Sequence, residues 1–481
     1  MKPQFLKVLS DEEMGRIDRE SKLLLEAHGV KVRHPQALDL LGEIGCLVER
    51  SSSMVRMPAE VVAGAVESVP QRFTLYGRDT SNEIELGGGE VLFGPGGFAV
   101  FVEDPETGER RKASRIDLRD HLRLSDYLPG CQFNHVNVFP SDLPETKADL
   151  HIWADALVYQ TKPIMNENYS ARSVDELVEM ISVLRGSREE ALSCPQVCLD
   201  VCVLSPLTHD TRQVDLLLAG ARYGLPISIN SGPIAGGTSP VTLAAVVSQA
   251  NAELLSALVI ARAGAEELDK KAPPVLYGSW GRHLDMRYGT VTMGGPEFAL
   301  LKVSTAQMGR FYGIPTRGGG ALSDSLFSDA QSGYEKMLTT IIPAVAGVNY
   351  VSGMGLNESE NQQSLAQLVI DDEIVAMVRR LLRGITVDDE HLATGLIMEA
   401  GPDGNFLDND HTLRFFREEL FDPALSNRMK YERWRDAGAL SLRERALKRA
   451  RDILRDHHPE QELDAKVVQE IYRIAAHEDN R

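Results

Sequence analysis

From about residue 91 to residue 383 the chain alternates short apolar runs with amphipathic helical stretches, eight of each and in strict order. The runs lie at 91–94, 132–139, 163–166, 197–204, 226–230, 274–278, 314–317 and 348–351. The helical patterns lie near 115–127, 145–160, 172–185, 210–223, 239–263, 296–312, 329–345 and 361–383. A short run that is apolar throughout suits a strand covered on both faces, and a helix between successive strands lets them all run parallel. The expected fold class is therefore α/β, a (β/α)8 TIM barrel. An open, doubly wound sheet has the same local rhythm, and the count of eight is what argues for closure. Pro105 and Gly108 mark a turn that makes 98–111 a hairpin inside the first strand-to-helix connection.

Two extensions flank this unit. Residues 1–90 are expected as an N-terminal helical and β extension, 91–385 as the barrel catalytic domain, and 386–481 as a C-terminal helical extension. Ser10 with Glu13 forms a capping-box pattern ahead of apolar Met14, Ile17, 23–25 and Val30, and Pro58 suits the first turn of a helix over 58–69. Ser441 with Glu444 starts a helix rich in Arg443, Arg445, Lys448, Arg449, Arg451 and Arg455. A solvated helix packed on the barrel is the plainer reading of that basic stretch, and a docking surface for a partner protein is the other.

The charge balance narrows the function. Acidic residues outnumber basic ones by 70 to 51, a net charge of −19, which disfavours nucleic acid and anionic membrane as partners. No apolar run is expected to reach the ~20 residues of a membrane helix. The start, MKPQFLKVLSDEE, lacks the apolar centre of a signal peptide. Five cysteines give no disulfide framework, so a reducing cytoplasm is the expected location.

Familiar catalytic motifs are missing: there is no G-x-x-x-x-G-K-[ST] loop, no HExxH and no G-x-S-x-G. Cys198 and Cys202 would lie ~13 Å apart on a strand rising ~3.3 Å per residue, too far to share a metal. With Cys194 they are expected as small buried packing residues, and no protein-bound metal is expected. Glycines cluster at the expected strand ends, where a barrel carries its function. They would let a broad flat partner come close, although ordinary turn chemistry explains any single cluster. His135 and His283 lie at or just beyond strands, as ligands or as satisfied core histidines.

Aromatic residues are only 6% of the chain, yet Phe98, Phe139, Tyr169, Trp280, Tyr288 and Tyr350 fall near that rim. Core filling is the plainer reading for Phe139 and Tyr350. Aromatic faces attract organic cations by ~0.5–2 kcal/mol each. Trp280 stands in YGSWGRHLDMRYG beside Arg282, His283 and Arg287, with Arg317 from the next strand, and these could receive a carboxylate. A zwitterion with a methylated ammonium would use both kinds of group. Glu167 follows the third strand, and Glu253 is an acid in an apolar helix, which suggests burial or an inward-facing task. Asp329 and Gln331 begin the seventh helix, where capping is reason enough for them.

The segments FGPGGFAVFVED, PISINSGPIAGGTSPVTLAAVVSQANAELLSALV, SDAQSGYEKMLTTIIPAVAGVNYVSGMG, SLAQLVIDDEIV and DHTLRFFREELFDPALSNRMKYERW resemble the trimethylamine methyltransferase superfamily of corrinoid-dependent methyltransferases. The resemblance runs from about 90 to 435 and is to the branch that lacks pyrrolysine and contains glycine betaine methyltransferases. It implies a TIM barrel, a homo-oligomer, and methyl transfer to the cobalt of a cobalamin-type corrinoid carried by a separate protein over the barrel mouth. Gly96, Gly97, Gly237, Gly319 and Gly353 would then face the corrinoid. Pyrrolysine-bearing relatives carry that residue in the general region of 323–331, where this chain has only ordinary residues. No pyrrolysine is expected, and a quaternary amine is favoured over trimethylamine.

The resemblance thus implies a methyltransferase acting on glycine betaine and giving dimethylglycine. Proline betaine, carnitine or γ-butyrobetaine fit the same chemistry, and a non-catalytic betaine-binding barrel or an unrelated barrel lyase or aldolase lies outside it. Phe98, Tyr169 and Trp280 are expected around the ammonium, with Glu167 or Glu253 supplying counter-charge at the catalytic centre. His283 and Arg317 are expected at the carboxylate, and Gln331 among the substrate-binding residues.

Overall fold

The computed structural model describes residues 6–476. Its central sheet has eight parallel strands: β1 (Leu92–Gly94), β2 (Asn134–His135), β3 (Ile164–Glu167), β4 (Val197–Val203), β5 (Ile227–Ser231), β6 (Val275–Ser279), β7 (Thr316–Gly319) and β8 (Tyr350–Ser352). The hydrogen-bonded order is β1-β8-β7-β6-β5-β4-β3-β2, so each strand lies beside its neighbours in the chain. A doubly wound sheet would reverse its order partway across. Here, instead, the seam between β1 and β2 is bonded. Gln132 N–H donates to Phe93 O at 2.8 Å, and Gln132 Oε1 accepts from Phe93 N–H at 3.2 Å. The expected barrel is the fold the chain adopts.

The surrounding helices are α1 (Arg115–Tyr127), α2 (Ala148–Tyr159), α3 (Ala171–Arg185), α4 (Thr211–Tyr223), α5 (Leu243–Glu267), α6 (Pro296–Tyr312), α7 (Ala330–Val345) and α8 (Leu365–Arg383). Their starts are written locally: Ser114, Ser170, Asp210 and Asp329 each accept a backbone N–H of the first turn. Helix α5 corrects one expectation. Its 25 residues are long and apolar enough to cross a membrane by length and composition, but most of its apolar stretch is buried inside the protein. The reason is that the N-terminal helices Asp11–Ala27, Pro35–Glu43 and Ala59–Ser68 pack over its outer side. Covered by the barrel on one side and by this extension on the other, it has no polar face to show.

Side chains alternate along the strands. On β4, Val197, Leu199, Val201 and Val203 face the helices, while Cys198, Asp200 and Cys202 face the barrel axis. The lowest interior layer is apolar: Leu92, Phe133, Met165, Cys198, Leu276 and Tyr350, sealed from below by Phe73, Leu75 and Leu86. Those three belong to a hairpin, Phe73–Tyr76 with Glu83–Leu86, that plugs the bottom of the barrel and that the sequence reading did not resolve. The basic helix Leu442–Asp456 packs Ala446, Ala450 and Ile453 inward, against α8 and α1, with its capping box in place.

Two small sheets stand over the mouth. One joins Phe101–Glu103 and Arg110–Lys112, the expected hairpin, to Leu356–Asn357 and Gln362–Gln363. The other joins Ile234–Ala235, Arg282–Asp285 and Thr290–Thr292.

Candidate active site

Above the apolar layer the barrel interior turns polar. Arg317 on β7 is fully buried and donates to Asp200 Oδ1 at 2.5 Å, to Ser228 Oγ at 2.9 Å and to His135 Nδ1 at 2.7 Å. Asp200 Oδ1 also accepts from Asn230 Nδ2 at 2.6 Å. Since Nδ1 of His135 accepts, the network assigns its proton to Nε2, which lies 3.5 Å from Asp200 Oδ2. Burial, together with the adjacent Arg317 cation, pushes this imidazole down to about 3, so it is neutral at physiological pH.

This layer is the floor of a cavity of about 310 Å³, at the small end of the ~300–1,000 Å³ of small-molecule sites. Phe98, Phe139 and Trp280 supply its aromatic walls. Phe98 stacks on Phe139 with ring centroids 3.7 Å apart, and the Arg317 guanidinium lies 5.3 Å from the Trp280 ring centre. Glu167, Asp200, Cys202, Arg282 and Glu360 bring their polar groups to the same space.

The charges are unequally satisfied. Glu167 is ion-paired with Arg212, and burial, with Asp200 nearby, raises its carboxyl above the ordinary range. Cys202 opens to the cavity, and burial pushes its thiol well above the usual value. Glu360 stands apart: burial pushes it up to about 7, against the pull of Arg282, Arg317 and Lys302. Among the described residues, its Oε1 has no hydrogen-bond partner, and neither has Arg282 Nε.

Of the residues expected at the site, the structure gathers Phe98, Glu167, Trp280, Arg317 and Gly97 around the cavity. Others lie elsewhere, each for a visible reason. Glu253 is buried behind β5, where its carboxylate accepts from Ser205 Oγ, Leu207 N–H, Ser231 Oγ and Gln249 Nε2 at 2.5–3.0 Å. It orients the cavity wall rather than facing it. Tyr169 lies outside, its ring covered by Arg212 at 5.0 Å. His283 turns to Thr292 Oγ1, with Nε2 at 2.8 Å. Gln331 bonds Glu335 at 2.9 Å within its own helix. Arg317 lines the cavity, with its guanidinium engaged by Asp200, Ser228 and His135.

The five glycines separate in the same way. Gly96, Gly319 and Gly353 are buried in the wall, Gly237 lies on the surface, and Gly97 alone lines the cavity. The cysteine expectation also needs correction: Cys198 is core, Cys194 is half-buried, and Cys202 is exposed to the cavity. Period-two alternation from Cys198 through Asp200 carried that signal. One atom each from Glu167, Asp200 and Cys202 lie within 4.8 Å of one another, close enough to hold a metal ion. Both carboxylates, however, already bind a guanidinium. Glu360 lies in the stretch LNESENQQ, where no periodic pattern marks an inward side chain.

Parallel strands closed into a barrel, with a cavity of aromatic and charged side chains at their carboxyl ends, define the architecture of a barrel enzyme. The chain belongs to the trimethylamine methyltransferase (MTTB) family, whose model matches residues 2–479, and it is a methyltransferase. It is 31% identical over 465 residues to the glycine betaine methyltransferase of Desulfitobacterium hafniense, covering 96% of this chain and 95% of that one. It is also 31% identical over 451 residues to the trimethylamine methyltransferase MttB of the same species, covering 94% and 90%. A trimethylamine methyltransferase of Methanosarcina thermophila is 30% identical over 471 residues, covering 97% and 96%. Among solved structures, the monomethylamine methyltransferase of Methanosarcina barkeri shares the fold, with a TM-score of 0.50 over 92% of each chain at 11% identity.

Proposed function

We propose that this methyltransferase takes a methyl group from a quaternary amine, glycine betaine in particular, and passes it to a cobalt(I) corrinoid carried by a separate protein. The observation that carries the reading is the aromatic enclosure of Phe98, Phe139 and Trp280 in a cavity that also holds Glu167, Asp200 and Glu360. A tetraalkylammonium cannot donate a conventional hydrogen bond. It is held by aromatic faces and by charge at a distance, which is what this cavity offers. In the transfer the N–CH3 bond breaks and its electron pair stays on nitrogen. A Co–CH3 bond forms as cobalt(I) becomes cobalt(III), and the neutral dimethylglycine amine leaves without needing a proton. The chain's contribution is to hold the cation, aim one methyl outward and keep water away.

The mouth supports the same reading. Phe98, Leu204, Met286, Tyr288, Leu326 and Phe327, on the loops after β1, β4, β6 and β7, are all exposed, and exposed apolar groups around a cavity mark an interaction surface. Incubation with a reduced corrinoid protein and glycine betaine is expected to convert the cobalt(I) absorption spectrum to that of the methylated corrinoid. A screen including proline betaine, carnitine and γ-butyrobetaine fixes the substrate. Binding of betaine with no cobalt methylation would overturn the reading in favour of a binding protein.

A further inference from the structure

The two small sheets over the barrel mouth each deliver one charged group to the cavity. The tip of the hairpin between Leu356–Asn357 and Gln362–Gln363 carries Glu360, and the strand Arg282–Asp285 carries Arg282. Delivery of Glu360 has a conformational cost. Glu358, Ser359 and Glu360 have φ of 52°, 49° and 79°, three successive non-glycine residues in the left-handed region. Non-glycine residues held in this region are strained, and the conformation persists only where surrounding contacts enforce it.

Those contacts are present. Glu358 N–H donates to Ser325 O at 2.8 Å, Ser359 N–H to Ser323 O at 3.0 Å, and Ser359 Oγ to Asp324 Oδ1 at 2.7 Å. Arg110 grips the Glu358 carboxylate at 2.7 and 3.0 Å. The opposing loop leaves room: Gly97, at φ 101°, approaches so closely that a Cβ there would stand 2.9 Å from Glu360 Oε1. The tip is fixed so that one carboxylate enters the cavity beside the aromatic walls.

Arg282 Nη1 reaches the Trp280 carbonyl at 3.2 Å, while Nε is buried with no partner among the described residues. Among the described residues, Arg282 and Glu360 form no direct ion pair, although each faces the same cavity. The other cavity charges are matched locally, Glu167 by Arg212 and Asp200 by Arg317. Glu360 and Arg282 remain without such a partner among the described residues, both on the lining of the same small-molecule cavity. Both residues are half-buried, with Arg282 Nε and Glu360 Oε1 themselves shielded from solvent, and a ligand carrying complementary charges would complete them.

We propose that Glu360 and Arg282 are the specificity-determining pair for a zwitterion. The Glu360 carboxylate faces the onium end, and the Arg282 guanidinium receives the substrate carboxylate. The site would thereby select betaines over amines that lack a carboxylate. This rests on the quaternary-amine reading above and deepens it.

The test is calorimetric binding of glycine betaine and of tetramethylammonium to the purified full chain, without corrinoid protein, in wild type and in Arg282→Gln, Arg282→Lys and Glu360→Gln variants. Circular dichroism confirms their folding. Arg282→Gln is expected to weaken glycine betaine at least tenfold and to leave tetramethylammonium within twofold. Arg282→Lys should restore part of the loss, and Glu360→Gln should weaken both ligands. Equal effects of Arg282→Gln on both ligands, or unchanged betaine affinity in either glutamine variant, would overturn the pair. Should a variant not fold, protection of wild-type Arg282 from an arginine-selective dicarbonyl reagent by betaine, and not by tetramethylammonium, decides the point. A wild-type chain that binds neither onium overturns the quaternary-amine reading and the pair with it. A wild type that methylates the corrinoid while its variants bind normally overturns the pair alone.

Discussion

Arg317 Nη1 on β7 meets Asp200 Oδ1 on β4 across the barrel interior at 2.5 Å, with the two side chains 0% and 4% exposed. The contact ties β4 to β7 under the cavity and engages the Arg317 guanidinium there. Loss of one partner would leave a buried charge uncompensated. Asp200→Asn is expected to destabilise the fold by about 3–5 kcal/mol, read from the urea midpoint. A loss below about 1 kcal/mol would mean that Arg317 finds its counter-charge elsewhere.

Phe98 is 48% exposed at the cavity lip and stacks on Phe139, so its truncation should cost little stability. A cation–aromatic contact contributes about 0.5–2 kcal/mol, and Phe98→Ala is therefore expected to weaken glycine betaine by about 2- to 30-fold. Trp280→Ala should raise KM further or abolish turnover. Unchanged kinetics in both would remove the aromatic walls from the mechanism.

Glu360, held near 7 by burial, should give substrate affinity a pH dependence. The carboxylate form is the one an onium favours, so affinity should rise as pH climbs through about 7 and level off above it, with a proton released on binding below that value. Arg282, Arg317 and Lys302 face the same carboxyl. The Lys302 ammonium is itself pushed down by burial, and its loss of charge would act in the same direction. Glu360→Gln separates the two: the rise vanishes if Glu360 is its source and persists if it is not.

Folding stability should fall in acid. His121 and His135 are held at about 3 and His209 at about 4, chiefly by burial. Each folded value lies below the ordinary ~6.5. The unfolded chain therefore takes up protons first, and stability present above pH ~6.5 is lost as pH falls towards these folded values. Glu360, raised to about 7, has the opposite slope and offsets only part of three histidines. Urea midpoints between pH 8 and pH 5 should decline, and less steeply in His209→Gln. A flat profile would show that the imidazoles are not buried as described.

The barrel was legible because it rests on local signals: eight apolar runs, the amphipathic helical stretches between them, and a cap such as Asp329. Trp280, Phe98 and Glu167 were legible because each lies within a few residues of a strand end. Glu360 was harder to find, although Arg282 already stood out beside Trp280. Their approach depends on how two accessory sheets fold back over the mouth, and no period in the sequence encodes that. Glu253 misled for a physical reason, since an acid in an apolar helix looks the same whether it serves a substrate or, as here, four donors of its own fold. Tyr169 was lost to Arg212, a partner from helix α4.

Gly319 connects the core to the cavity. A Cβ at this position would stand 2.7 Å from both Trp280 Cζ3 and Phe298 Cζ. Phe298 is fully buried, whereas Trp280 is 7% exposed and borders open space, so the indole is the side chain able to move, and it would move into the cavity. Gly319→Ala is expected to cost about 1–3 kcal/mol of stability through overpacking and to lower betaine affinity as the volume shrinks. Trp280→Phe removes the ring atoms that clash, so in a double-mutant cycle the two changes should couple favourably, by about 0.5–3 kcal/mol. Strict additivity would show that the methyl is absorbed by Phe298 or by the backbone, and that Gly319 does not set the position of the Trp280 wall.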